Sequence, residues 1–358
     1  MISKPEPAKE AYVWIWLPDK TDPVVAGRIE ADGDQYVFNY GKSYLGRSDR
    51  MPIYLPELPL EAGAITPEEG LSMVGALRDG LSDAWGRRVI INQITGYRGK
   101  VAQEVEFDEL TYMLASGSDR IGALDFQASA TNHVPRSVNV ASLEELMASA
   151  DRVEKGVPLT PELDQALCHG SSIGGARPKA TIQDGERKYI AKFSSISDTY
   201  AIVKAEFLAM RLAKLAGLSV APVRLVRASG KDVILIERFD RERKDENWTR
   251  RAVVSALTIF GLDEMIARYA SYEDLAEAVR HRFTDPEATL RELFGRLTFN
   301  ILVGNTDDHA RNHAAFWDGI ALSLTPAFDI CPQLRMGREG DCSRPSRLYP
   351  QELEQRLR

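Results

Sequence analysis

Gly304-Asn305-Thr306-Asp307-Asp308-His309-Ala310-Arg311-Asn312, followed after a hairpin-length gap by Phe328-Asp329-Ile330, is where the chemistry of this chain is densest. An Asp, an Asn in the same loop and a second Asp beyond a strand pair form a minimal set for phosphoryl transfer. Asp307 can orient or deprotonate a hydroxyl, and Asn312 and Asp329 offer oxygens to a magnesium ion carried by a nucleotide. Asp308 is a rival base, but the spacing to Asn312 favours Asp307. Asp and Asn are also ordinary turn and capping residues, so the pair alone decides little. The surrounding order gives it weight. A helix over 288–303 leads into the loop, strands over 313–317 and 321–324 follow around Asp318-Gly319, and Asp329 comes next. Such a hairpin turns the chain back and lays Asp329 beside Asp307.

Upstream, Ser171-Ser172-Ile173-Gly174-Gly175-Ala176-Arg177-Pro178-Lys179 is a second constellation. Small residues at Gly174, Gly175 and Ala176 let backbone N–H groups approach phosphate oxygens, and Lys179 adds charge. It is not a Walker A loop, because Ala180 follows the lysine and a strand replaces the helix. Strands at 179–182 and 189–193 flank Asp184-Gly185 as a hairpin, which sets Lys192 opposite Lys179. Glu206 lies one turn into an amphipathic helix over 203–216, closed by Gly217. Kinases use such a strand lysine on the nucleotide phosphates, with a helix glutamate to position it. A solvated helix carboxylate is the plainer alternative for Glu206, but Phe207, Met210 and Ala213 beside it are apolar. A further hairpin over 223–227 and 233–239 ends in Glu237-Arg238-Phe239-Asp240, where a hinge would bind adenine through its backbone. His309 is a candidate for a phosphate contact or for a hydrogen bond within its own loop.

The whole chain has 358 residues, 44% of them hydrophobic and 27% charged, a length suited to two domains or one two-lobed domain. A net charge of −7 and a pI near 5.5 argue against nucleic-acid binding through overall charge and leave only a local basic patch for it. No apolar run is long enough to span a membrane, and Cys168, Cys331 and Cys342 form no CxxC pair, so a reducing cytoplasmic setting is expected. Residues 11–54 read as short strands, 77–94 as one helix, 108–114 and 142–147 as helices, and 151–170 as a looser junction. From 253 to 303 helix dominates, interrupted at Asp285-Pro286. The expected fold class is α+β, a two-lobed protein-kinase-like fold. Its parts are an N-terminal β-rich subdomain with helices (1–150), a nucleotide-binding sheet lobe (151–240), a helical catalytic lobe (241–335) and an irregular tail (336–358).

Together these motifs resemble the HipA family, serine/threonine kinases that are the toxins of bacterial toxin–antitoxin modules. The resemblance runs to about Arg335. It rests on the N-terminal β region, Leu81-Ser82-Asp83-Ala84-Trp85-Gly86-Arg87-Arg88, the loop from Ser172 to Lys179, Glu237-Arg238-Phe239-Asp240-Arg241, and the loop from Gly304 to Asn312. It implies ATP and magnesium (Mg2+) as cosubstrates and phosphorylation of a protein serine or threonine, which in the best-known members belongs to an aminoacyl-tRNA synthetase. It also implies a HipB-like helix-turn-helix antitoxin as partner, with operator DNA reached only through that antitoxin. Carried over by position, Asp307 is the catalytic base, and Asn312 and Asp329 hold magnesium. Gly174, Gly175, Ala176, Arg177 and Lys179 form the phosphate loop, Lys192 meets phosphates, and Glu237 and Phe239 border the adenine. Ser172 matches the serine that family members phosphorylate on themselves, with Ser171 a competing acceptor. A phosphate there, at about −1.5 to −2 charge, would drive the loop from the ATP phosphates and switch the enzyme off.

One departure accompanies the resemblance. Family members with this N-terminal lobe usually continue through many residues of helix after the metal-binding Asp. Here 336–358 lacks an apolar stripe and concentrates Gly, Arg, Glu and Pro. The expectation is a truncated gene, or a frame shift near Met336, with apolar surface of the helical lobe left exposed. Two other readings stand beside the kinase toxin: a small-molecule phosphotransferase of related two-lobe design, and an inactive protein that keeps the fold for antitoxin contact.

Overall fold

The computed structural model describes residues 8–95, 105–136, 142–155, 157, 177–195 and 198–333. Ser171, Ser172, Gly174, Gly175 and Ala176, together with the expected tail 336–358, lie outside the described residues.

The chain opens on an antiparallel sheet of β1 (Glu10–Ile15), β2 (Val24–Asp32), β3 (Gln35–Tyr40), β4 (Ala64–Ile65) and β5 (Leu124–Gln127), in the order β4-β3-β2-β1-β5. Gly33 makes the β2–β3 turn at φ +60, a conformation without steric cost only for glycine. A short helix, α1 (Lys42–Leu45), follows β3.

Where one helix was expected over 77–94, the structure has two: α2 (Gly75–Arg78) and α3 (Ala84–Thr95). Each helix has its own side-chain cap, and the one at Asp83 makes the break. Glu57 accepts the Gly75 and Ala76 N–H groups at 2.9 and 2.8 Å, and Asp83 Oδ1 accepts those of Trp85 and Gly86 at 3.1 and 3.2 Å. A carboxylate that satisfies orphan N–H donors begins a new helix, whatever the apolar spacing across it suggests. Next come α4 (Glu109–Ala115), capped by Asp108, and α5 (Leu143–Glu154), opened by a Ser142/Glu145 capping box. The latter runs past the expected end at 147, into what read as a junction.

The second sheet has the order β6-β7-β9-β8, from β6 (Lys179–Asp184), β7 (Arg187–Phe193), β8 (Val223–Ala228) and β9 (Lys231–Glu237). On one face lies α6 (Ile202–Leu215), whose Val203, Met210 and Ala213 pack against Ile234 and Ile236. The other face is covered from the N-terminal part of the chain. Trp85 and Val89 of α3, with Leu146, Met147 and Ala150 of α5, meet Ala180, Ala191 and Leu235. Each large side chain so buried contributes roughly 1.5–3 kcal/mol.

After the hinge-position residues a hairpin appears that the helical pattern did not suggest, β10 (Arg241–Lys244) with β11 (Asn247–Arg250). Val253 and Val254 then pair with Phe316 and Ala315, so β12 (Ala252–Ser255), β13 (Ala314–Trp317) and β14 (Leu322–Leu324) form a third sheet. The β-branched pair takes a ladder where the surrounding pattern read as helix. Helices α7 (Ala256–Ile259), α8 (Tyr272–Arg282) and α9 (Pro286–Val303) complete the lobe. Asp285-Pro286 is the start of α9, with Asp285 accepting the Ala288 N–H and proline in the first turn. One apolar cluster joins this lobe to the first sheet: Ile15, Phe38 and Phe126 are continuous with Val254, Val279, Ala315, Trp317 and Leu322. No helix among the described residues is long and apolar enough to cross a membrane.

Candidate phosphotransfer site

Helix α9 ends at Gly304, left-handed at φ 71, whose N–H bonds back to the Asn300 and Ile301 carbonyls. That cap aims the following loop out of the helix axis. Asn305 is buried, donating to Asn300 Oδ1 at 3.2 Å. The next two carboxylates diverge. Asp307 is exposed, whereas Asp308 is 2% exposed and accepts from Tyr272 Oη (2.6 Å), Asn300 Nδ2 (2.9 Å) and His313 Nε2 (2.9 Å). Burial alone would raise the Asp308 carboxyl, but His313 and the donated hydrogen bonds hold it below its ordinary value. The rival base is thus a structural anchor.

Asn312 ends a 3₁₀ turn (Ala310–Asn312), and its Nδ2 donates to the Asp307 carbonyl at 2.9 Å. The β13–β14 hairpin carries the chain to Asp329, whose φ of 58 is a strained value for a residue with a Cβ. Asp329 Oδ1 lies 2.6 Å from Lys192 Nζ, which also reaches Glu206 Oε1 at 2.7 Å. Glu206 is buried in α6 rather than solvated. Burial would strip the Lys192 proton, but Asp329 and Glu206 outweigh it and lift the lysine above its ordinary value. The same ammonium, against the cost of burial, holds Asp329 low. Partial loss of solvent raises Asp307, opposed by His309 and reinforced by the Asp329 charge. Exposed His309 therefore faces both carboxylates electrostatically.

The remaining expected residues divide. Lys179 is buried in β6 and is Lys192's direct ladder partner. Arg177 makes a two-point pair with Asp198, both contacts 2.8 Å. Glu237 ends β9 and pairs outward with Arg187 at 2.6 Å. Phe239 packs edge-on to Phe316 and tilted against Phe328, joining the second sheet to the Asp329 segment.

Two groups of residues escaped the sequence reading. Arg238 and Arg241 are buried with Asp240 and Asp119; Arg238 also donates to the Arg120 carbonyl at 2.6 Å, and Gly122 N–H to Asp240 Oδ2 at 2.7 Å. Residues 238–241 are thereby clamped by residues 119–122. The alternating charges closing an apolar strand were the available signal. Asp83 is the other, set beside Lys179 at 3.8 Å. It lies in the 81–88 motif, but a helix read straight through 77–94 places it inside that helix and gives no sign of its partner.

A magnesium ion fits the donor set. Asn312 and Asp329 line one small cleft, and the Asp329 side chain is 38% exposed. The Asn312 amide nitrogen is engaged by the Asp307 carbonyl, so its oxygen is the atom a cation would use. Among the described residues no cluster of three or more His, Cys, Asp or Glu side chains is set out to hold a metal alone. Magnesium commonly takes one or two protein oxygens and completes its shell with phosphates and water.

A four-stranded antiparallel sheet with a helix-paired lysine, joined to a mainly helical lobe, belongs to the α+β protein-kinase-like class. Residues 15–127 match the HipA N-terminal domain and residues 171–353 the HipA-like C-terminal domain. The chain belongs to the HipA family. It is 21% identical over 329 residues to the serine/threonine-protein kinase toxin HipA of Shewanella oneidensis, covering 84% of this chain and 71% of that protein. To the putative kinase Y4mE of Sinorhizobium fredii it is 29% identical over 150 residues, 39% of this chain and 33% of the relative. Among solved structures, the S. oneidensis toxin–antitoxin complex of HipA, HipB and operator DNA contains a chain that matches with a TM-score of 0.64. That match has 20% identity and covers 90% of this chain and 76% of the other, a likeness of fold.

Proposed function

We propose that this chain is an ATP-dependent serine/threonine-protein kinase, the cytoplasmic toxin of a toxin–antitoxin module. The observation that carries the reading is Lys192 held between Glu206 and Asp329, with Asp307 exposed in the loop ahead of it. Lys192, with Lys179 opposite it, supplies charge to the ATP phosphates, helped by Arg177, His309 and the small residues Gly174, Gly175 and Ala176. Glu206 orients Lys192, and Glu237 and Phe239 border the adenine. Asn312 and Asp329 hold Mg2+, which neutralises charge on the phosphate oxygens. Asp307 accepts the proton of the acceptor hydroxyl as that oxygen bonds to the γ-phosphorus, and the bond to the β-phosphate bridging oxygen breaks to release ADP. Its raised carboxyl is a better proton acceptor than an ordinary aspartate.

Ser172 is the proposed autophosphorylation site and off switch. A protein Ser or Thr is the outward substrate, an aminoacyl-tRNA synthetase fitting the family pattern. A HipB-like antitoxin is the proposed partner, in line with the HipA–HipB–DNA assembly of the S. oneidensis relative. Incubating the purified chain with γ-labelled ATP and magnesium tests the reading. Label is expected on Ser172, and Asp307→Ala should lower its rate about 10³-fold while ATP affinity stays within about threefold. A wild-type chain that takes no label would overturn it.

A further inference from the structure

Lys179 and Lys192 are directly opposed in the β6–β7 ladder, so both stems leave the same face of the sheet. Like charges placed in this way destabilise a sheet unless each is compensated. Lys192 has Glu206 and Asp329. The carboxylate beside Lys179 comes from outside the sheet lobe: Asp83 Oδ2 stands 3.8 Å from Nζ, with the two side chains 6% and 3% exposed. Asp83 has a divided role. Its Oδ1 caps α3 through Trp85 and Gly86, whereas Oδ2 accepts no hydrogen bond among the described residues. The same segment also grips the main chain of Lys179, because Trp85 Nε1 donates to its carbonyl at 3.1 Å. Side chain and backbone of this lysine are thus both met by residues 83–85.

We infer that Asp83 is a positioning residue of the nucleotide site, standing to Lys179 as Glu206 stands to Lys192, so that the N-terminal part of the chain completes the triphosphate subsite. The inference rests on the kinase reading above. Burial lowers the Lys179 ammonium from its ordinary value; Asp83 is the largest of the charges that oppose that loss, ahead of Asp329 and Glu206, while the Lys192 charge adds to it. With Asp83 neutral, two buried cations face each other with less compensation, and Lys179 gives up its proton or its place. Phosphate affinity then falls, and adenine recognition, which uses neither charge, does not.

Asp83→Asn tests this, since the asparagine oxygen still caps Trp85 and Gly86 while the charge is gone. In the full chain the ATP dissociation constant should rise about tenfold and that of adenosine should change less than about twofold. Lys179→Met should weaken ATP similarly, and the double variant should be no weaker than Lys179→Met alone, because the two changes remove one interaction. Unchanged or tighter ATP binding by Asp83→Asn would overturn the inference. So would equal losses for ATP and adenosine with a lowered melting temperature, or penalties that multiply in the double variant. A wild-type chain that binds no ATP removes the kinase reading and this one together; a wild-type chain that binds ATP no better than Asp83→Asn removes the positioning role alone.

Discussion

Asp307 and Asp308 differ by one position, yet one meets solvent and the other closes a buried network of Tyr272, Asn300 and His313. Their substitutions should therefore separate stability from chemistry. Asp308→Ala leaves a buried hydroxyl, amide and imidazole without their acceptor and is expected to cost about 3 kcal/mol of unfolding free energy. Asp307→Ala should change it by less than about 0.5 kcal/mol, as at most exposed positions. Urea unfolding of both variants checks this, and matching midpoints would refute the division of roles. The spacing to Asn312 favours Asp307 as the base. It could not reveal what holds Asp308, because Tyr272 and Asn300 come from other turns of the fold.

At the scale of elements, the cap of α9 sets the direction of the loop that carries Asp307. Gly304 sits at φ 71, where an added Cβ meets the neighbouring backbone. Gly304→Ala should cost about 1–2 kcal/mol, read as a lower thermal midpoint. No loss of stability would mean the loop tolerates another exit angle. Glycine after an apolar helical run is a strong local signal, and the helix end was legible from it. So were the β6–β7 and β8–β9 hairpins, each announced by a Gly-containing turn between β-rich segments. The break between α2 and α3 was not, since apolar spacing continues across it and only Asp83, capping α3, divides it. Strand β12 was hidden for a related reason: four residues become a strand when β13, distant in sequence, arrives to pair with them.

Across the whole molecule, buried charge joins the N-terminal part to the kinase-like part. Burial would raise the Asp240 carboxyl, but the guanidiniums of Arg238 and Arg241 outweigh it and hold it at about 2. Asp119 and Asp125 are likewise depressed, by Arg238 and Arg241 and by His133 and Arg120, against the cost of burial. A carboxyl whose folded value lies below its unfolded value of about 3.9 binds protons better when unfolded. Its stabilisation is complete above about pH 4 and disappears as pH falls through about 2. Acid titration should show a steep stability loss in that window, and Asp240→Asn should flatten it by about 2 kcal/mol, measured by unfolding at each pH. An unchanged slope would show that the clamp adds nothing. What the amino-acid order determined by itself were the parts whose signals are local: Asp307 before Asn312, Asp329 after its hairpin, and Lys192 ahead of the helix that carries Glu206. Turn chemistry and residue periodicity act over a few positions, so a linear reading captures them. The tertiary structure decided that Asp83 faces Lys179, that Arg238 reaches Asp119, and that one apolar cluster runs from the first sheet into the last lobe. Those contacts join residues about a hundred positions apart. They depend on how finished elements pack, and packing leaves no periodicity in the chain.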